Sequence, residues 1–121
     1  MSKNTDQTQI FFNPACSKCR MTLDLLGEHD IKPDVIEYLS TPPDFDTLKQ
    51  LLQMLGFSAE NLMRKGEATY KKLDLANQDL DENALIQIMI ENPILIERPI
   101  VVRNGKAIIG RPPERILEIL P

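Results

Sequence analysis

The stretch Asn-Pro-Ala-Cys-Ser-Lys-Cys-Arg at residues 13–20 holds both cysteines of the chain, Cys16 and Cys19. A closely spaced pair can be a redox couple, half of a metal clip, a nucleophile with a neighbour, or buried structural thiols. In a reducing compartment such a pair is a poor structural staple, which favours catalytic, redox or metal-binding roles. Cys16 stands in the turn that leads into a helix, exposed at its positive end. Unpaired backbone N–H groups and the helix dipole both favour thiolate there, and the same place is a natural anion site. Lys18 and Arg20 add positive charge nearby in sequence. A cysteine so placed is a better nucleophile at neutral pH than the free side chain, with its pKa near ~8.5. Cys19 lies one helical turn further on and shares a face with Leu23 and Leu26. That position suits a resolving thiol that closes a disulfide, and equally a small buried hydrophobe. Zinc needs about four ligands. The single histidine, His29, sits in a polar helix end and reads as a surface residue, so no metal is expected.

Three arginines form the second signal. Arg64 stands in "NLMRKG", where a helical segment breaks; Arg98 in "IERPI", entering a strand; Arg111 in "GRPPE", between a strand end and a helix start. Element ends are where chemistry tends to be placed. A guanidinium presents planar, paired donors that suit an oxyanion such as phosphate, sulfate or arsenate. Each arginine taken singly reads as well as a structural or solvated residue.

The elements that must position these groups follow from hydrophobic pattern. "QIFFN" (Gln9 to Asn13) reads as a strand stopped by Asn-Pro, and Pro14 turns the chain at Asn13. Residues 17–30 read as a helix and "DVIEYL" (34–39) as a second strand, giving a βαβ unit with parallel strands. A helical insert follows over about 44–93. Its first helix carries Leu48, Leu51, Leu52 and Leu55 and ends at Gly56; short pieces lie near 61–64 and 68–73; a last helix spans 81–92. "PIVVR", Asn104-Gly105 and "KAIIG" form the strongest hairpin signal in the chain. "PPERILEIL" closes it as a helix expected to turn Ile116, Leu117 and Leu120 inward. The fold class is α/β, with a mixed sheet in the order β-α-β, insert, β-β-α, in a single domain over 1–121.

Composition narrows the function. At 121 residues the chain suits one core. Its net charge of −4 argues against a nucleic-acid surface while permitting a local cationic pocket. The first nine residues are polar and no apolar run reaches the roughly 20 residues of a membrane span, so a cytoplasmic monomer is expected, with no membrane association.

"NPACSKCR", "LMRKG", "NPILIERPIVV" and "IGRPPE", in this order, resemble the glutaredoxin-coupled arsenate reductase family over residues 10–120. The resemblance implies a thioredoxin-like fold with a helical insert, and reduction of arsenate to arsenite. It makes Cys16 the nucleophile, and Arg64, Arg98 and Arg111 the arginines that hold the oxyanion. It makes Pro99 a proline that is typically cis, with Asn13 structural beside it. It also implies glutathione as co-substrate, glutaredoxin as the reducing partner, and no bound cofactor. Two departures stand out. Many members carry serine where this chain has Cys19, and some carry histidine where it has Phe12. The resemblance extends to a redox-sensing transcription regulator that binds RNA polymerase and shares the cysteine pair, although that group lacks the arginine matching Arg111. A general thiol–disulfide oxidoreductase using Cys16 and Cys19 is the other alternative.

Overall fold

The structure, a computed structural model, describes residues 7–120; the polar residues 1–6 and Pro121 lie outside the described part. Two compact units emerge, one formed by the chain up to Thr41 together with the segment from Arg98 onward, the other by Pro42–Glu97.

The first unit is built on a four-stranded mixed sheet in the order β2-β1-β3-β4. Strand β1 (Thr8–Phe12) is followed by helix α1 (Ser17–Glu28) and strand β2 (Asp34–Glu37), and β1 and β2 pair in parallel. Strands β3 (Ile100–Arg103) and β4 (Lys106–Ile109) form an antiparallel hairpin whose β3 pairs antiparallel with β1. Asn104 and Gly105 both take positive φ at the hairpin turn, the backbone that Asn-Gly favours. Strand register then decides the faces. Ile10 opposes Val101, and Val101 opposes Ile108, so these three share one side of the sheet with Phe12. Cys19 and Leu26 of α1 and Ile116 join them in one buried cluster, which also includes Cys16.

Two details differ from the sequence expectation. Strand β2 ends at Glu37, because its carbonyl accepts from the N–H groups of both Ser40 and Thr41 and closes a turn. The closing segment, Pro113–Ile119, is a 3-10 helix rather than an α-helix. At three residues per turn, Ile116 and Ile119 fall on the same side. Ile116 is therefore fully buried, while Leu117, expected to face inward, is 44% exposed.

The second unit contains α2 (Phe45–Leu55), α3 (Ala59–Leu62), α4 (Ala68–Lys72) and α5 (Glu82–Glu91), with 3-10 turns at Leu75–Asn77 and Pro93–Leu95. Local capping sets their ends. Asp44 accepts from the Thr47 N–H, Gly56 ends α2 in the left-handed conformation, and Asp81 accepts from the Ala84 N–H. A reciprocal Ser58–Asn61 capping box starts α3 at Ala59, two residues ahead of the piece read near 61–64. Arg64 lies just beyond α3, where Met63 and Ile96 form an isolated antiparallel bridge. Leu48, Leu62, Ile86, Met89 and Leu95 are fully buried in this unit. Among the described residues, no helix is long and apolar enough to cross a membrane.

Candidate active site

The turn from β1 into α1 is organised by Asn13. Its side-chain carbonyl accepts from the Ala15 N–H at 3.0 Å, and its backbone carbonyl accepts from the Cys16 N–H at 2.9 Å. Arg20 folds back to donate to the Pro14 carbonyl at 2.8 Å, so it braces the same turn. These bonds place Cys16 at the N-cap of α1 with an extended backbone. Most N-caps are oxygen-bearing residues; here the capping position holds a sulfur.

Sequence reading placed Cys16 exposed at the helix end. The structure corrects this, since the residue is only 7% exposed and belongs to the buried cluster with Ile10, Phe12, Val101 and Cys19. The turn tucks the side chain back against the sheet, where guanidinium groups cover it.

Arg98 and Arg111 supply that cover. Each precedes a cis proline, at the Arg98–Pro99 and Arg111–Pro112 bonds, the second of which sequence reading did not anticipate. Arg111 is clamped by its Nε, which donates to the Arg98 carbonyl at 2.6 Å. Its Nη2 then donates to Cys16 Sγ at 3.6 Å. The Arg98 guanidinium also favours the Cys16 thiolate.

The two thiols ionise very differently. Burial alone pushes the Cys16 thiol up, but the Cys19 backbone N–H, the Arg98 guanidinium and the Cys19 thiol together outweigh it and bring its pKa down to about 7. Cys19 is fully buried, and burial pushes its thiol up to about 12; the Asn13 N–H works against this, while the hydrogen bond and charge of Cys16 add to it. The Asn13 N–H lies 3.5 Å from Cys19 Sγ. Near neutral pH Cys16 is about half thiolate, while Cys19 stays a thiol. Both cysteines are free.

Gly110 escaped sequence reading. A Cβ at this position would come within 2.7 Å of Thr22 Oγ1 and 3.0 Å of Pro99 Cγ. Its N–H donates to the Pro99 carbonyl at 3.0 Å, which docks the segment carrying Arg111 against the segment carrying Arg98. The legible signal was a glycine directly before the arginine in "IGRPPE".

Arg64 belongs to the helical unit and is occupied there. Its Nε donates to Glu67 at 2.9 Å and its Nη1 to Glu97. Sequence reading weighed Arg64 without these partners, although a glutamate three residues on is a recurrent partner across one helical turn. His29 is exposed. Among the described residues, no group of three or more His, Cys, Asp or Glu is arranged to hold a metal ion. The site thus unites Cys16, Cys19, Asn13, Arg98, Pro99 and Arg111, an activated thiolate under two guanidinium groups. Such an arrangement can attract an anion and attack it.

The model of the ArsC family matches residues 11–119. The chain belongs to the ArsC family. This ArsC-family chain is 57% identical over 117 residues to the uncharacterized protein YfgD of Escherichia coli (strain K12), covering 96% of this chain and 98% of that protein. It is 47% identical over 115 residues to an arsenate reductase of Neisseria meningitidis, covering 94% and 98%. Among solved structures, an arsenate reductase from Vibrio cholerae superimposes with a TM-score of 0.92 at 50% identity, over 97% of this chain and all of that one. The fold is thioredoxin-like, as the family resemblance implied, and mixed α/β, as the order of elements implied.

Proposed function

We propose that the chain is an arsenate reductase in which the Cys16 thiolate attacks arsenic. The observation that carries this reading is the clamp on Arg111, which donates to the Arg98 carbonyl with one nitrogen and to Cys16 Sγ with another. That clamp fixes a donor fork at the nucleophile before any substrate arrives, so little reorganisation accompanies binding. An oxyanion recruited by Arg98 and Arg111 meets the sulfur directly. Arg64, which the resemblance also makes an oxyanion-binding arginine, pairs with Glu67 and Glu97 within the helical unit.

The chemistry balances as follows. The Cys16 thiolate and dihydrogen arsenate, with two protons, give a Cys16–S–As(V) adduct and water. A second thiol attacks the Cys16 sulfur; its electron pair and that of the S–As bond leave arsenic as arsenite and the two sulfurs as a disulfide. Glutathione and glutaredoxin are the external thiol and the reductant of that disulfide in this reading, as the family resemblance implies; the relatives named arsenate reductases support the substrate.

The test is arsenate-dependent NADPH oxidation coupled through glutathione, glutaredoxin and glutathione reductase. Turnover by the native chain, abolished by Cys16→Ser and lowered about 10²-fold or more by Arg111→Ala, is expected. Absence of turnover with arsenate across glutathione and dithiol reductants would refute the reading. Equal disulfide-reducing activity before and after Arg98→Ala would instead favour a general thiol–disulfide oxidoreductase.

A further inference from the structure

Cys19 is the residue of the site that the chemistry above leaves without a task. It is fully buried and lies in the same apolar cluster as Cys16, one helical turn away. Residues three apart at a helix start lie within the Cα separation of about 4.4–6.8 Å that a disulfide spans. The N-cap backbone of Cys16 is extended rather than helical, which leaves its side chain free of the first helical turn. The spacing of the pair is thus compatible with a disulfide at the start of α1.

Resting on the arsenate reading, we propose that Cys19 is the second thiol of the reaction, so that arsenite is released without glutathione and an internal Cys16–Cys19 disulfide remains. In atoms, Cys16–S–AsO(OH)2 and Cys19–SH give Cys16–S–S–Cys19 and As(OH)3. Arsenic falls from the +5 to the +3 state, the two sulfurs lose the matching electron pair, and the Cys19 proton leaves on an arsenite oxygen. Order is built in by charge. Before the adduct forms, the negative charge falls on Cys16 while Cys19 stays protonated. Once sulfur is bonded to arsenic, that charge is gone, and with it one of the influences that keep Cys19 protonated. Burial does not oppose the step, because the attack is intramolecular and adjacency stands in for access. A dithiol reductant then restores both thiols by exchange.

The experiment is a single turnover of the fully reduced chain with excess arsenate, run with and without glutathione, reading arsenite, free thiols and intact mass. Without glutathione we expect one arsenite per chain, loss of both thiols and a mass two hydrogens lighter. Cys19→Ser should release none in that arm and recover arsenite when glutathione is added, leaving glutathione on Cys16. Arsenite from the native chain only when glutathione is present, with glutathione attached to Cys16, would overturn the role of Cys19 while leaving the arsenate reading intact. No arsenite in either arm would overturn the arsenate reading and this inference with it.

Discussion

At the scale of single residues, the site works by setting two identical side chains apart. Burial raises both thiols, yet for Cys16 the Cys19 N–H, the Arg98 guanidinium and the Cys19 thiol outweigh it, whereas for Cys19 the Asn13 N–H does not, and Cys16 adds to the rise. A consequence is a measurable pH profile. Alkylation of Cys16 by iodoacetamide should be half-maximal near pH 7, fall about tenfold per pH unit below that, and level off above it, since only the thiolate reacts. Arg98→Ala removes a hydrogen bond and a charge that favour the thiolate, so the midpoint should rise and reactivity at pH 7 should drop; an unmoved midpoint would deny Arg98 this part. Much of this was legible beforehand. A cysteine after Asn-Pro at a strand-to-helix junction announces a thiolate because the helix end itself supplies the field. Arg98 and Arg111 were singled out by their places at element ends and by the resemblance, but spacing alone could not bring them to the sulfur ahead of Lys18 and Arg20, since the fold does that. Arg20 braces the Pro14 carbonyl instead.

At the scale of elements, the β3–β4 hairpin and the segment after it carry the anion-binding groups to α1. Gly110 is the joint. Any Cβ there meets Thr22 on α1 and the ring of Pro99, so Thr22, Pro99 or the segment that bears Arg111 must shift. Gly110→Ala should therefore raise the Cys16 alkylation midpoint and slow arsenate turnover. Adding Thr22→Ala removes the 2.7 Å contact and should return part of both. Strict additivity of the two changes would mean that they do not act through this contact. Hairpin and helix positions were readable from period and turn chemistry, with Asn104-Gly105 and the Asp44, Gly56 and Asp81 ends the plainest cases. The closing 3-10 helix was not. Its apolar residues at 116, 117, 119 and 120 fit either period, and only packing against the sheet selects the one that exposes Leu117.

At the scale of the whole molecule, the chain separates chemistry from support. Every group found to set the ionisation of Cys16 belongs to the sheet-bearing unit, whereas Leu48 is buried in the helical one. Leu48→Ala should cost about 2–5 kcal/mol in urea unfolding and leave the alkylation midpoint of the folded protein where it was. A shifted midpoint would show that the core of the helical unit tunes the thiolate. The ordered motifs along the chain made the family legible, and Glu67 three residues from Arg64 was readable as its partner, but Glu97 was hidden because it is remote in sequence. The central claim, that Cys16 attacks an oxyanion gathered by Arg98 and Arg111, is tested most directly by arsenate protection of Cys16 from iodoacetamide at pH 7. Saturable protection in the native chain, lost in Arg98→Ala and Arg111→Ala, is the predicted result. Alkylation that proceeds at the same rate at every arsenate concentration would contradict it.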